Sequence, residues 1–110
     1  MPKLRTTTRK TASRRRLPPI HPGEVLAEDL QDLGISLNEL ARALRVPMNR
    51  ISAITNRKRS ISADTAMRLA RYFGTSPQYW MNLQTAYDLA ITERTRGEQI
   101  EQGVLPRRAA

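Results

Sequence analysis

The chain has 110 residues and a formal net charge of +9, from 19 basic and ten acidic side chains. It is long enough for one small domain with tails but too short to enclose a large substrate cavity. Disulfides and thiolate metal sites are excluded because it has no cysteine, and no apolar run reaches the roughly 18 residues that a membrane helix needs. We therefore expect a cytoplasmic protein without membrane, metal or cofactor.

The positive charge is concentrated in two places. Residues 1 to 16 carry seven basic side chains and no acid, whereas the rest of the chain has a net charge of only +2. No acid lies between Glu39 and Asp64, and that window contains six basic residues: Arg42, Arg45, Arg50, Arg57, Lys58 and Arg59. A basic tail is often merely solvated, so the basic window is the stronger indication of a nucleic-acid partner.

The first helix signals follow an irregular arm. Residues 1–19 lack periodic apolar positions and end in two prolines, which predicts a disordered basic arm. Pro22 then opens a first helix that Gly34 ends, and its apolar stripe is Val25, Leu26, Leu30 and Leu33. Ser36 and Glu39 form a capping box that opens a second helix, with an inward face of Leu37, Leu40, Ala41 and Leu44.

Three further helices are predicted. Pro47 suits the first position of a third helix, whose apolar side is only Ile51 and Ile54 and which should end near Asn56. Ser62 caps a fourth helix, closed by Gly74, with Ala66, Leu69, Ala70 and Phe73 inward. Ser76-Pro77 starts a fifth, with Trp80, Leu83, Ala86, Tyr87, Ala90 and Ile91 as its apolar positions. We therefore predict an all-α domain of five helices over residues 20–91, followed by a flexible polar tail over residues 92–110.

The second and third helices have the layout of a helix-turn-helix, because they are short, adjacent and joined by a turn of about three residues. A narrow apolar seam suffices for the third helix if its opposite face enters the major groove of DNA. An ordinary bundle helix with a solvated face and a charged loop is the alternative reading of the same pattern.

The DNA hypothesis assigns a role to each outward side chain. Asn49 can pair bidentately with adenine, and Met48 and Ala53 can contact a thymine methyl. The candidate base readers are Met48, Asn49, Ser52 and Ala53. The candidate phosphate-binding residues are Arg50, Asn56, Arg57, Lys58 and Arg59, together with Ser36 at the start of the second helix.

From Ile20 to Leu89 the chain resembles the Cro/C1-type helix-turn-helix family and, within it, the HigA-type antitoxins. The similar stretches are IHPGEVL, SLNELARAL, PMNRISAITNRKR and RLARYFGTSPQYW followed by NLQ and YDL. The resemblance implies a lambda-repressor-like domain that neutralises a HigB-type, mRNA-cleaving toxin by complex formation. It also implies a dimer that represses the shared promoter at a palindromic operator of double-stranded DNA.

The resemblance also implies residue roles. By position, base reading falls on Met48, Asn49 and Ala53, and backbone contact on Pro47, Arg50 and Asn56. Similar sequences often have glycine where this chain has Arg45 and Arg57. Without a glycine after the third helix, Asn56 or Arg57 must supply the turn, at a cost of about 1 kcal/mol.

The first helix carries an acidic stripe, Glu24, Glu28 and Asp32, at spacings of four residues. A solvated face is the simpler interpretation, with Glu24 favoured by the helix N-terminus. The sharper hypothesis is that these acids lie far from the DNA and dock a basic toxin.

Other features carry no catalytic pattern. His21 has no cysteine or second histidine for a metal site, so a local role before the first helix is expected. Phe73, Trp80 and Tyr87 are expected in the core or at a dimer seam, and we find no catalytic pair of acids, so the protein is not expected to be an enzyme. The basic arm could contact DNA, contact toxin or do neither.

Two alternatives stay open. One is a stand-alone helix-turn-helix repressor with no toxin partner. The other is a protein-binding inhibitor whose helix-turn-helix does not bind DNA, although the basic window argues against it.

Overall fold

A computed structural model describes residues 18–108, so nearly all of the predicted basic arm lies outside the described residues. Five helices form this part of the chain, as predicted: α1 Pro22–Leu33, α2 Leu37–Leu44, α3 Met48–Thr55, α4 Ala63–Phe73 and α5 Pro77–Gly103. Residues 20–87 form one compact unit. The predicted all-α class is confirmed.

The predicted helix ends are confirmed where their chemistry is simplest. Ser36 and Ser62 are N-caps whose hydroxyls accept hydrogen bonds from the backbone N–H groups of Glu39 and Thr65. Gly34 closes α1 in the left-handed conformation, with φ of 68°, which a residue without Cβ adopts at little cost. Pro47, predicted as the first residue of α3, is instead its N-cap, one position before the first helical residue Met48.

The core of residues 20–87 draws on all five helices. Leu26, Leu40, Ile51, Leu69 and Trp80 are all at most 1% exposed. Phe73 packs against this core, with its ring centroid 6.0 Å from that of Trp80. The predicted core position of Trp80 is therefore confirmed.

Two predicted apolar positions are wrong, and a polar residue is buried instead. Leu33 is 60% exposed because it is the last residue of α1, and Ala86 is exposed on α5. Gln84 is buried one turn after Trp80, where its Oε1 accepts a 2.7 Å hydrogen bond from the Ile61 N–H. An apolar side chain there would leave that buried N–H without its partner.

The predicted irregular tail is wrong for residues 92–103, which continue α5 to Gly103. This segment is rich in Glu, Gln and Arg, which favour helix, but it has no apolar stripe, so periodicity gave no signal. Although α5 has 27 residues, no helix within residues 18–108 is long and apolar enough to cross a membrane.

Candidate nucleic-acid interface

The third helix has two faces of opposite character. Ile51 and Ile54 are fully buried. On the other side Met48 is 45% exposed and Asn49 is exposed. Ser52 and Ala53 are half-buried between these faces. The four predicted base readers thus lie on the first two turns of one short helix, which is the form that fits a major groove.

Both helices of the helix-turn-helix end in the same backbone motif. After α2 the Val46 N–H bonds the Ala41 carbonyl at 3.0 Å, and after α3 the Lys58 N–H bonds the Ala53 carbonyl at 2.8 Å. Such a six-residue closure requires a left-handed residue before its last donor. Arg45 and Arg57 take that place, with φ of 60° and 62°.

The structure decides between the two residues expected to supply the turn at the end of α3. Asn56 has φ of −88°, so Arg57, not Asn56, supplies the turn. The Asn56 amide nitrogen lies 3.4 Å from the Ser52 hydroxyl. Arg57, Lys58 and Arg59 follow as one exposed basic loop directly beyond the helix.

Ser36 lies at the N-terminus of α2, as predicted. Its hydroxyl oxygen accepts a 3.1 Å hydrogen bond from the Glu39 N–H, and the Glu39 carboxylate lies 3.5 Å from the Ser36 N–H. A hydroxyl that accepts one bond still has a hydrogen to donate, so the capping role and a phosphate contact are compatible.

The Arg50 side chain lies along the protein surface, bonded to a neighbouring helix, instead of extending into solvent. Its guanidinium donates a 2.9 Å hydrogen bond to Asp64 in the first turn of α4, and its side chain is only 25% exposed. The Nε of Arg68 donates to the same Asp64 oxygen at 2.9 Å, and the Nη1 of Arg68 donates to the Leu44 carbonyl at 2.9 Å. The phosphate contact predicted for Arg50 therefore stays a prediction, in competition with its bond to Asp64.

The electrostatics of this group follow from its two cations. Hydrogen bonding from Arg68, and after it from Arg50, holds the pKa of Asp64 below its ordinary value of 3.8. Asp64 is therefore ionised at neutral pH.

The comparisons with known proteins agree with this geometry. Residues 26–80 match the family model described as helix-turn-helix. A solved antidote protein of the HigA family from Coxiella burnetii is 52% identical, with a TM-score of 0.80 over 83% of this chain and 100% of that one. The chain belongs to the HigA antitoxin family.

Two further relatives bear on what such proteins do. The antitoxin HigA of Pseudomonas aeruginosa, solved with the higBA promoter, is 49% identical with a TM-score of 0.77, over 80% of this chain and 97% of that one. An uncharacterised helix-turn-helix transcriptional regulator of Escherichia coli is 41% identical over 77% of this chain and 76% of its own length. Neither name indicates a catalytic activity.

In this HigA-family chain, the start of α1 packs against the end of α3. His21 caps α1, its Nδ1 accepting a 2.8 Å hydrogen bond from the Gly23 N–H. This is the local role predicted for it. Glu24 accepts from the His21 N–H at 3.0 Å and lies 3.9 Å from Arg57. Its place beside the basic loop contradicts the expectation that the whole acidic stripe lies far from the DNA face.

The other acids of α1 are differently placed. Glu28 and Asp32 are exposed. Asp29 and Asp32 edge a shallow recess whose apolar lining comes from Leu33, Phe73, Tyr79 and Trp80. Among residues 18–108, no group of three or more histidine or acidic side chains is arranged to hold a metal ion.

No pattern in the sequence singles out Asp64 and Arg68. Their spacing of four residues on one helix is a signal for an ion pair, but it is common on solvated surfaces. Nothing in the sequence indicates that Arg50 and the Leu44 carbonyl meet this pair.

Proposed function

We propose that the chain is the antitoxin of a HigBA-type pair and the repressor of its own promoter. It binds an mRNA-cleaving toxin in a neutralising complex, and it binds a palindromic operator as a dimer. The DNA-binding part of this proposal rests on the two faces of α3. Ile51 and Ile54 lie in the core, and Met48 and Asn49 point outward. The HigA relative solved with the higBA promoter supports it.

At the operator, the first two turns of α3 read bases. Asn49 pairs with adenine, and Met48 and Ala53 contact thymine methyl groups, with Ser52 beside them. Phosphate contacts that set the register come from the N-terminus of α2 and from both ends of α3: Ser36, Pro47, Asn56, Arg57, Lys58 and Arg59. Arg50 is not placed among these phosphate contacts, because its guanidinium is bonded to Asp64.

Asn49→Ala tests the reading of bases. We expect it to weaken operator binding by about 1–3 kcal/mol, since one bidentate base contact is lost. Toxin binding should not change, because Asn49 lies on the DNA face. Unchanged operator binding would contradict the assignment and would favour a pure protein-binding inhibitor.

The toxin surface proposed here is the acidic end of α1. Glu28 and Asp32 are exposed, and Asp32 edges the apolar recess with Leu33 and Tyr79. An RNA-cleaving toxin is basic, so acids beside an apolar recess complement it. Glu24 is left out of this surface, because it caps α1 and lies beside Arg57.

Reversal of charge tests this surface. Glu28→Lys with Asp32→Lys should weaken toxin binding and leave operator binding intact. Toxin affinity equal to that of the wild type would reject the acidic surface, whatever the DNA result.

The experiment that tests the whole proposal is a growth assay. The small neighbouring open reading frame is expressed with and without this protein, and the two products are then purified together. Arrested growth that recovers with this protein, and co-elution of the pair, would support the antitoxin function.

The alternative is a stand-alone repressor, favoured by the relative known only as an uncharacterised transcriptional regulator. In that case the neighbouring reading frame is harmless or its product does not bind. Operator binding would then persist without any toxin partner.

A further inference from the structure

Three charged side chains join the two helices of the helix-turn-helix to α4. Arg50 is on α3, the recognition helix that is proposed to enter the major groove, and Asp64 and Arg68 are one turn apart on α4. A single Asp64 oxygen, Oδ2, accepts 2.9 Å hydrogen bonds from Arg50 Nη1 and from Arg68 Nε. The Nη1 of Arg68 reaches the carbonyl of Leu44, the last residue of α2, at 2.9 Å. The chain of bonds therefore connects the end of α2 to the start of α3.

The first turn of the recognition helix has few other attachments. Its N-cap, Pro47, makes no side-chain capping bond. Met48 and Asn49 point outward, and the first buried residue is Ile51. The bond from Arg50 to Asp64 thus attaches the turn that carries the base readers Met48 and Asn49. A misplacement of even about 0.5 Å degrades a recognition site.

These contacts contribute little to global stability. The side chains of Arg50, Asp64 and Arg68 are 25%, 57% and 40% exposed, and ion pairs at such exposure are weak. Their geometry is nevertheless specific, because the planar guanidinium of Arg68 presents two donors in fixed directions. Contacts with a fixed geometry and little effect on stability are suited to orienting one helix against another.

We propose that Arg50 positions the recognition helix through Asp64 and Arg68, and that Asp64 and Arg68 thereby determine the specificity of the DNA interface. This inference rests on the proposed DNA-binding function. Asp64 also neutralises a cation that otherwise binds phosphate without regard to sequence, so its loss has opposite effects on specific and non-specific DNA.

Asp64→Asn is the first variant to test. The ratio of affinities for the DNA upstream of the coding sequence and for a random duplex should fall about tenfold, as it does for one imperfect base contact. Affinity for the random duplex should rise, with a salt dependence steeper by about 0.9 because Arg50 is released to a phosphate. Glu101→Gln, an equal change of charge on the exposed end of α5, should leave the ratio unchanged.

Arg68→Lys separates geometry from charge. Lysine keeps the positive charge but lacks the planar fork that reaches both Asp64 and the Leu44 carbonyl. The affinity ratio should fall, while the salt dependence on random duplex stays as in the wild type. If Asp64→Asn proves unfolded by circular dichroism, the Arg68→Lys result decides the inference.

These experiments separate a failure of the positioning role from a failure of the proposed function. A wild type that does not distinguish its operator from random duplex would overturn the proposed function. A wild type that discriminates, with Asp64→Asn and Arg68→Lys discriminating equally well, would overturn only the positioning role. Equal strengthening on both duplexes by Asp64→Asn would overturn it too, because Asp64 would then merely screen charge.

Discussion

Arg45 and Arg57 occupy backbone conformations that glycine adopts at less cost. Their φ angles of 60° and 62° lie in the left-handed region, where a Cβ is destabilising by roughly 1–2 kcal/mol. We expect Arg45→Gly and Arg57→Gly each to raise the free energy of unfolding by about 1 kcal/mol, allowing for the greater freedom of glycine in the unfolded chain. Urea unfolding at neutral pH measures this.

The same two variants should differ in the salt dependence of their DNA binding. Arg57 begins the exposed basic loop beyond the recognition helix, so Arg57→Gly should reduce the salt slope of operator binding by about 0.9. Arg45→Gly should leave the slope unchanged and serves as the matched control. A loss of slope in both variants would show that the turn between α2 and α3 also contacts phosphate.

Asp64 should make stability depend on pH in the acid range. Arg68 and Arg50 hold its pKa below 3.8, so its contribution is fully present above that pH and is lost as the pH falls through the lowered folded-state pKa. The difference in unfolding free energy between wild type and Asp64→Asn should be constant from about pH 5 to 7 and shrink below about pH 4. Thermal unfolding across this range checks it. The difference is small because the contacts are exposed, and one that does not vary with pH would contradict the pairing.

At the scale of elements, the junction of α1 with α3 tolerates no side chain at Gly23. A Cβ there would lie 1.8 Å from the Ile54 carbonyl oxygen, which belongs to the recognition helix. Gly23→Ala must therefore push the two helices apart, and we expect a loss of about 3 kcal/mol or more in unfolding free energy. Operator affinity should fall with it.

Gly103→Ala is the control for that substitution, because nothing lies within 4 Å of a Cβ at Gly103. Stability should change little in the control. If Gly23→Ala were as stable as the wild type, the close packing of α1 on the end of α3 would be refuted.

The elements that sequence reasoning predicted are those with a local chemical signal. Ser36, Ser62 and Gly34 mark helix ends by capping chemistry that needs no tertiary information. The extension of α5 to Gly103 is mostly polar and has one branched aliphatic residue, Ile100, so a search for an apolar stripe misses it. The bond from Arg50 to Asp64 joins residues 14 apart on different helices, and no pattern along the chain encodes it.

At the scale of the whole molecule, the proposed dimer requires an exposed apolar face. Leu89 is 66% exposed and Ile100 is 47% exposed. Residues 11 positions apart on a helix lie within about 20° of each other, so both project from one side of α5. Burial of such side chains in a second copy contributes about 1.5–3 kcal/mol each.

Leu89→Lys should therefore convert the dimer into a monomer. Light scattering during gel filtration should change from twice the chain mass of 12.5 kDa to once that mass. Affinity for a full palindrome should then fall toward that for a half-site, because a two-fold operator engages both recognition helices only when the protomers are joined. Gln102→Lys adds the same charge on the other side of α5 and should remain dimeric. A monomeric wild type, or a Leu89→Lys variant of unchanged mass, would exclude this face as the dimer interface and would direct the search to residues 20–87.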